Sequence, residues 1–209
     1  MSEKSLKPEI YNIFPTPIYT TKMDRGFTKQ ELQFVNEQKK HCDNNIGNIH
    51  TKDNYILNRK EFKNIKKFLD KNCKEYLETV ICPKNNIELY ITQSWLNYTE
   101  TNQYHHKHQH PNSVISGVLY FDSNVKNDKI VFSHPTVYQQ IKPNIDKFNI
   151  WNSDTWFFPV KTGNLFMFPS STTHQVETKK GNNTRISLAF NTFYKGSVGS
   201  NVELTELIL

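Results

Sequence analysis

The stretch YHHKHQHPN, Tyr104–Asn112, places four of the chain's eight histidines within six positions: His105, His106, His108 and His110. Neutral imidazole is the commonest side-chain ligand for iron, zinc, copper and nickel, so metal binding is the first chemistry such a cluster offers. On a strand, residues two apart project from one face, and His106, His108 and His110 alternate in that way. By alternation alone any adjacent two could form a ligand pair, with His105 pointing the other way. A solvated polar strand, or chance metal capture by a histidine-rich tip, would leave the same trace.

Downstream stands GNLFMFPSSTTHQV, Gly163–Val176, with a lone His174 at the start of a short strand. Beyond it, Arg185 opens the otherwise apolar TRISLAFN. A guanidinium in such a strand needs a partner, because burying it unpaired is expensive. Either an internal carboxylate supplies that partner, or the carboxylate of a ligand does so. An arginine reaching solvent from the strand end is the plain counterpart. Ser187, two residues on, offers a hydroxyl on the same face. His-x-His, then His, then Arg-x-Ser is much more specific than any one piece.

The elements that must position these residues can be read from hydrophobic period. Ile10–Thr20 alternates apolar residues around two prolines, as an edge strand or extended arm does. From Thr28 to roughly Lys40 the pattern is helical, with Thr28 and Glu31 as a capping box and Leu32, Phe34 and Val35 as the apolar stripe. A second helix is expected from about Lys60 to Val80, its apolar residues recurring at three and four. From Ile87 the period becomes two. Strands are expected at Ile87–Tyr98, Val114–Phe121, Lys129–Phe132, Thr155–Phe158, Leu165–Phe168, Thr173–Glu177 and Thr184–Tyr194. Many short antiparallel strands in succession predict a barrel or jelly roll. The loop Ser133–Asp154 is long enough to form a lid carrying His134 over a substrate.

The 209 residues suit one domain. The net charge of +6 comes from 23 Lys against 3 Arg, scattered in short runs such as Lys179-Lys180. Phosphate-reading surfaces favour Arg and cluster their charge, so nucleic acid is not the expected partner. Cys42, Cys73 and Cys82 lack disulfide or metal spacing, which fits a reducing cytoplasm. No signal peptide or bilayer-spanning run is expected. The apolar segments IYNIFPTPIYTT and VELTELIL could each pair with a neighbouring copy, making a homodimer possible.

The order of these motifs resembles the iron(II)- and 2-oxoglutarate-dependent oxygenases, within them the prolyl-hydroxylase-like branch and its bacterial and marine-phage relatives. SWLN (Ser94–Asn97), HQHPNSVISGVLY (His108–Tyr120), GNLFMFPSSTTHQV and RISLAFN (Arg185–Asn191) carry the resemblance. IFPTPI, Ile13–Ile18, is also similar to that group's opening. The fold this implies is mostly β with flanking helices. It has a double-stranded β-helix (jelly-roll, cupin-like) core over about 87–195, packed by two helices within about 28–82, in a single domain 1–209.

The implied cofactor is Fe(II), held by His108, His110 and His174, and the implied cosubstrate is 2-oxoglutarate. Its far carboxylate would meet Arg185, with Ser187 beside it. Tyr120 would either contact the same carboxylate or simply fill the barrel. The implied reaction is hydroxylation of a peptidyl or prolyl side chain, or of a small molecule, with release of succinate and CO2. The register of HPNSVISGVLY selects His108 and His110 and leaves His106 one step outside.

One departure matters. Most of the family has H-x-D, and here His110 takes the acidic position, which removes a negative charge from the ligand set. Other readings are a three-His cupin-type dioxygenase without 2-oxoglutarate, a hydrolytic zinc site using Glu177 or Asp122 as base, and a non-catalytic metal-binding jelly roll. Arg185 separates the first of these, since such a protein needs no carboxylate anchor.

Overall fold

The computed structural model describes residues 8–134, 141 and 143–209. Twelve strands and two α-helices follow one another among these residues. The strands are β1 (Tyr19–Lys22), β2 (Cys42–Asn44), β3 (Ile49–Thr51), β4 (Ile87–Thr99), β5 (His105–His108), β6 (Ile115–Asp122), β7 (Lys129–Ser133), β8 (Thr155–Pro159), β9 (Asn164–Pro169), β10 (His174–Val176), β11 (Arg185–Val198) and β12 (Leu207–Ile208). The helices are α1 (Lys29–Gln38) and α2 (Lys63–Tyr76), both ahead of β4.

The strands form two antiparallel sheets. The larger runs β1-β9-β6-β11-β4-β3-β2, with β12 paired to β11, and the smaller runs β5-β10-β7-β8. Between β4 and β11 the chain passes repeatedly from one sheet to the other, which is the winding of a double-stranded β-helix. The expected mostly-β jelly roll with two flanking helices is therefore the fold found.

Period two decides what each face of the large sheet does. On β11, Ile186, Leu188 and Phe190 join the core with Leu96, Tyr98, Leu119, Phe121, Leu165 and Met167 from the neighbouring strands. This face lies under Phe34 and Val35 of α1 and Ile65, Leu69, Cys73 and Tyr76 of α2. The alternate residues Arg185, Ser187 and Ala189 line a cavity on the opposite face, together with Trp95, Asn97 and Thr99 of β4. One strand thus anchors the helices with one face and furnishes the site with the other.

Phe190 pairs across the sheet with Gly117 of β6. A Cβ on Gly117 would stand 2.2 Å from the Phe190 ring. Gly117→Ala is therefore expected to destabilise the fold by about 1–3 kcal/mol through overpacking. A urea midpoint equal to that of the unaltered protein would contradict this packing.

α1 opens with the expected capping box: the Thr28 hydroxyl accepts from the Glu31 N–H, and Glu31 accepts from the Thr28 N–H. Glu31 is also buried against Arg25 at 2.6 Å. Leu32, expected on the apolar stripe, is instead 40% exposed. After α2 the backbone widens into a π-helical turn, Leu77–Ile81, closed by Cys82 at φ 49°. The wider turn rotates Val80 off the buried face to 40% exposure, so the helical period of three and four fails there.

β1 pairs with β9, and β12 pairs with β11. Residues 135–140 and 142, part of the expected lid, lie outside the described residues. No helix among those described is long and apolar enough to cross a membrane.

Candidate metal centre and cosubstrate pocket

His108 ends β5, and β10 is hydrogen-bonded beside it with His174 in direct register. Their ring centroids lie 4.3 Å apart. His110 lies just past the strand end, not within it. Its backbone N–H donates to Ser170 O at 3.0 Å, which folds the ring back over the cluster. There its Nε2 comes within 3.4 Å of His174 Nε2, with the two rings nearly parallel. Trp95 stacks on the outer side of His110.

Ring orientation follows from hydrogen bonds on the far nitrogen. His108 Nδ1 contacts His106 O at 2.8 Å, and His174 Nδ1 contacts Thr172 O at 3.0 Å. Each Nδ1–H is thereby committed to a carbonyl, which leaves the Nε2 lone pair for a metal. Ligand-capable nitrogens of His108, His110 and His174 all lie within 4.8 Å of one another, close enough to hold one ion.

Alternation misplaces His105. The register slips along β5, where His108 faces His174 but His105 faces Val176. Four residues of β5, His105–His108, there oppose three of β10, His174–Val176, a bulge that turns His105 toward the same side as His108. The His105 and His108 rings stack at 4.7 Å, and His105 lines the cavity. His105, His106 and His108 form a second group within 4.8 Å. His106 does not line the inner cavity. It faces an outer groove with His50, Asn45 and Asn54.

Burial keeps the cluster neutral. It draws His174 down to about 3, with His108 as the next contributor. His110 falls to about 4 and His105 to about 2 for the same two reasons, and burial lowers His108 as well. Neutral rings are what a metal requires. The sign for stability follows directly. Below the ordinary imidazole value of 6.5 the unfolded chain binds protons that the folded chain refuses. The metal-free protein is therefore expected to lose stability as the pH falls from about 6.5 toward about 4. Chemical denaturation at the two ends of that range tests this, and equal midpoints would contradict it.

Arg185 lies at the inner end of the same cavity, 3% exposed. Its Nη1 donates to Asp128 Oδ1 at 3.3 Å. Nη2 is buried with no partner, as is Asn97 Oδ1 in the same cavity. Ser187 is paired with Tyr120 across β11 and β6, so both stand on the Arg185 side. Tyr120 is buried, and burial raises its phenol well above the usual range, so its O–H stays protonated. Both partners that the sequence offered Arg185 thus have a place: an internal carboxylate takes one nitrogen, and the other remains free.

Asp128 and Lys179 escaped the sequence reading. Asp128 reads as the end of a turn, and Lys179 as one of a surface pair. Lys179 is in fact 1% exposed, its Nζ 3.6 Å from Asp128 Oδ1. A buried lysine leaves no local signal when its partner is distant in sequence. The two acids considered as bases are engaged elsewhere. Glu177 pairs with Lys129 at 2.9 Å, and Asp122 accepts from Asn183 at 3.3 Å. His134 leaves β7 toward solvent and does not line the cavity.

A jelly roll with three convergent imidazoles and a half-satisfied buried guanidinium has the make-up of a non-haem metal oxygenase that takes a carboxylate ligand. Residues 93–191 match the family described as "Putative 2OG-Fe(II) oxygenase". The stretch carrying the site thus belongs to the 2OG-Fe(II) oxygenases, whose cofactor is iron(II) and whose cosubstrate is 2-oxoglutarate. That match supports an oxygenase enzyme.

No curated protein sequence matches it. Among solved structures it is similar to a 2OG-Fe(II) oxygenase-family oxidoreductase from Burkholderia pseudomallei, at 16% identity and TM-score 0.53, covering 83% of each chain. It is also similar to HygX from Streptomyces hygroscopicus, solved with nickel, 2-oxoglutarate and hygromycin B, at 10% identity and TM-score 0.57, covering 85% of this chain and 82% of that one. A Pseudomonas putida prolyl-4-hydroxylase matches at 11% identity and TM-score 0.53, covering 84% and 92%. At these identities the likeness speaks to the fold.

Proposed function

We propose that the chain is a hydroxylase in which His108, His110 and His174 hold iron(II) and Arg185 receives the far carboxylate of 2-oxoglutarate. The observation that carries this is the unpaired, buried Nη2 of Arg185 in the cavity that the three histidines share. The inner triad is preferred over His105, His106 and His108 because His106 faces the outer groove, away from Arg185. HygX, with nickel and 2-oxoglutarate bound, supplies a precedent for both ligands on this fold.

Iron(II) and 2-oxoglutarate, when bound, supply the oxidising power for C–H hydroxylation, with succinate and CO2 as coproducts. The protein's part is positioning and exclusion of water. Arg185 and Ser187 orient the cosubstrate's far end, with the Tyr120 O–H as a further donor. Ile130, Val118 and Phe168 supply apolar wall to the cavity. His108, His110 and His174 would hold the metal through three neutral imidazole nitrogens.

The substrate proposed is a peptidyl side chain, prolyl among the candidates, on the strength of the Pseudomonas putida likeness. A small molecule is the second choice, since HygX was solved with hygromycin B. The chain is proposed to act as a single domain in the cytoplasm, with a homodimer as its possible assembly. The test supplies iron(II), 2-oxoglutarate and oxygen, and measures succinate against a His174→Ala control. Equal succinate from the two proteins would sink the reading.

A further inference from the structure

Behind Arg185 lies a buried ionic group that the oxygenase reaction does not itself call for. Asp128, Lys179 and Arg185 have side-chain exposures of 0%, 0% and 3%. Lys179 Nζ donates to Asn183 Oδ1 at 2.9 Å and Lys180 O at 3.2 Å, and forms an ion pair with Asp128 Oδ1 at 3.6 Å. Asp128 is equally occupied. Its Oδ2 accepts the Asn124 N–H at 2.7 Å, and its Oδ1 serves both Lys179 and Arg185 Nη1.

Two cations therefore share one carboxylate in a place where water does not reach. Burying such a group is costly, and an apolar side chain in place of Lys179 would often stabilise a fold better. The arrangement has one clear electrostatic consequence. Left alone with Asp128, Arg185 would turn both nitrogens onto it in a bidentate pair and be neutralised. With Lys179 beside Oδ1 and the Asn124 N–H on Oδ2, Arg185 Nη2 makes no bond to the carboxylate, and the three side chains keep one net positive charge.

We propose that Lys179, acting through Asp128, is a positioning residue that keeps the Arg185 charge and its Nη2 available to a carboxylate ligand. This rests on the reading of Arg185 as the anchor for 2-oxoglutarate. Lys179 touches no ligand, and its effect is confined to ligands that reach Arg185.

The experiment measures calorimetric binding of 2-oxoglutarate to the full chain loaded with manganese(II), without turnover. Lys179→Met is expected to weaken 2-oxoglutarate by about tenfold or more. Manganese affinity should stay unchanged, as should the weaker binding of pyruvate, a 2-oxo acid without a far carboxylate. Lys179→Met with Asp128→Asn removes the competing carboxylate as well, and is expected to recover 2-oxoglutarate binding to within about threefold. Should Lys179→Met fail to fold, Lys179→Gln, which keeps donors for Asn183 and Lys180, reads the same loss. Unchanged 2-oxoglutarate binding in the single variant, or a double variant no better than the single, overturns the proposal. If the unaltered protein binds manganese but no 2-oxoglutarate, the anchor reading falls and takes this proposal with it.

Discussion

Arg185→Met is expected to weaken 2-oxoglutarate binding by about a hundredfold or more, since losing one partner of a buried charge pair costs about 3–5 kcal/mol. The methionine approximates the arginine stem, so the cavity wall is kept. Asp128 retains Lys179 and the Asn124 N–H, so no carboxylate is left unpaired. The loss should therefore appear in ligand affinity and not in folding. Metal affinity should hold, because no histidine of the cluster is hydrogen-bonded to Arg185. Calorimetry with manganese(II) in place of iron separates the two quantities. A change in 2-oxoglutarate affinity of less than about threefold would remove Arg185 from the anchor role.

His174→Ala is expected to lower divalent metal affinity by about a hundredfold or more, beyond the 10- to 100-fold typical of losing an outer-shell partner. His174 is the hinge of the cluster: it lies on β10 between β5 and β7 and approaches both His108 and His110. Removing it leaves two imidazoles with no third nitrogen to close the face. His110→Asp is the informative contrast. It returns a negative charge to the ligand set, so manganese should bind at least as tightly as in the unaltered protein, although the Trp95 stack is lost. Metal titration with circular dichroism as a fold control reads both variants. Full metal affinity in a folded His174→Ala protein would show that the other histidine group, His105, His106 and His108, is the true site.

Much of the site was legible because strand alternation is a local property. The period of two in RISLAFN sends Arg185 and Ser187 to one face and Ile186, Leu188 and Phe190 to the other, and the structure places them so. The jelly roll was legible for a similar reason: many short alternating segments separated by turn residues have few other ways to bury their apolar faces. The capping box at Thr28 and Glu31 is local as well, and forms as expected.

What local pattern missed depends on pairing between distant segments. The bulge in β5 exists only against β10, and it reverses His105, which alternation had turned away. The π-helical turn at Leu77–Ile81 exposes Val80 because its wider winding breaks the helical period. Asp128 meets Arg185 across 57 residues of sequence, and Lys179 meets the same carboxylate, so neither carries a signal in its own neighbourhood.

By itself the sequence determined the secondary-structure periods, the fold class and the residue types available for metal and carboxylate binding, since each follows from alternation and side-chain chemistry. Only the tertiary structure decided which histidines share a cavity and why half of the Arg185 guanidinium stays free. Both are set by strand register and by buried charges that meet through space.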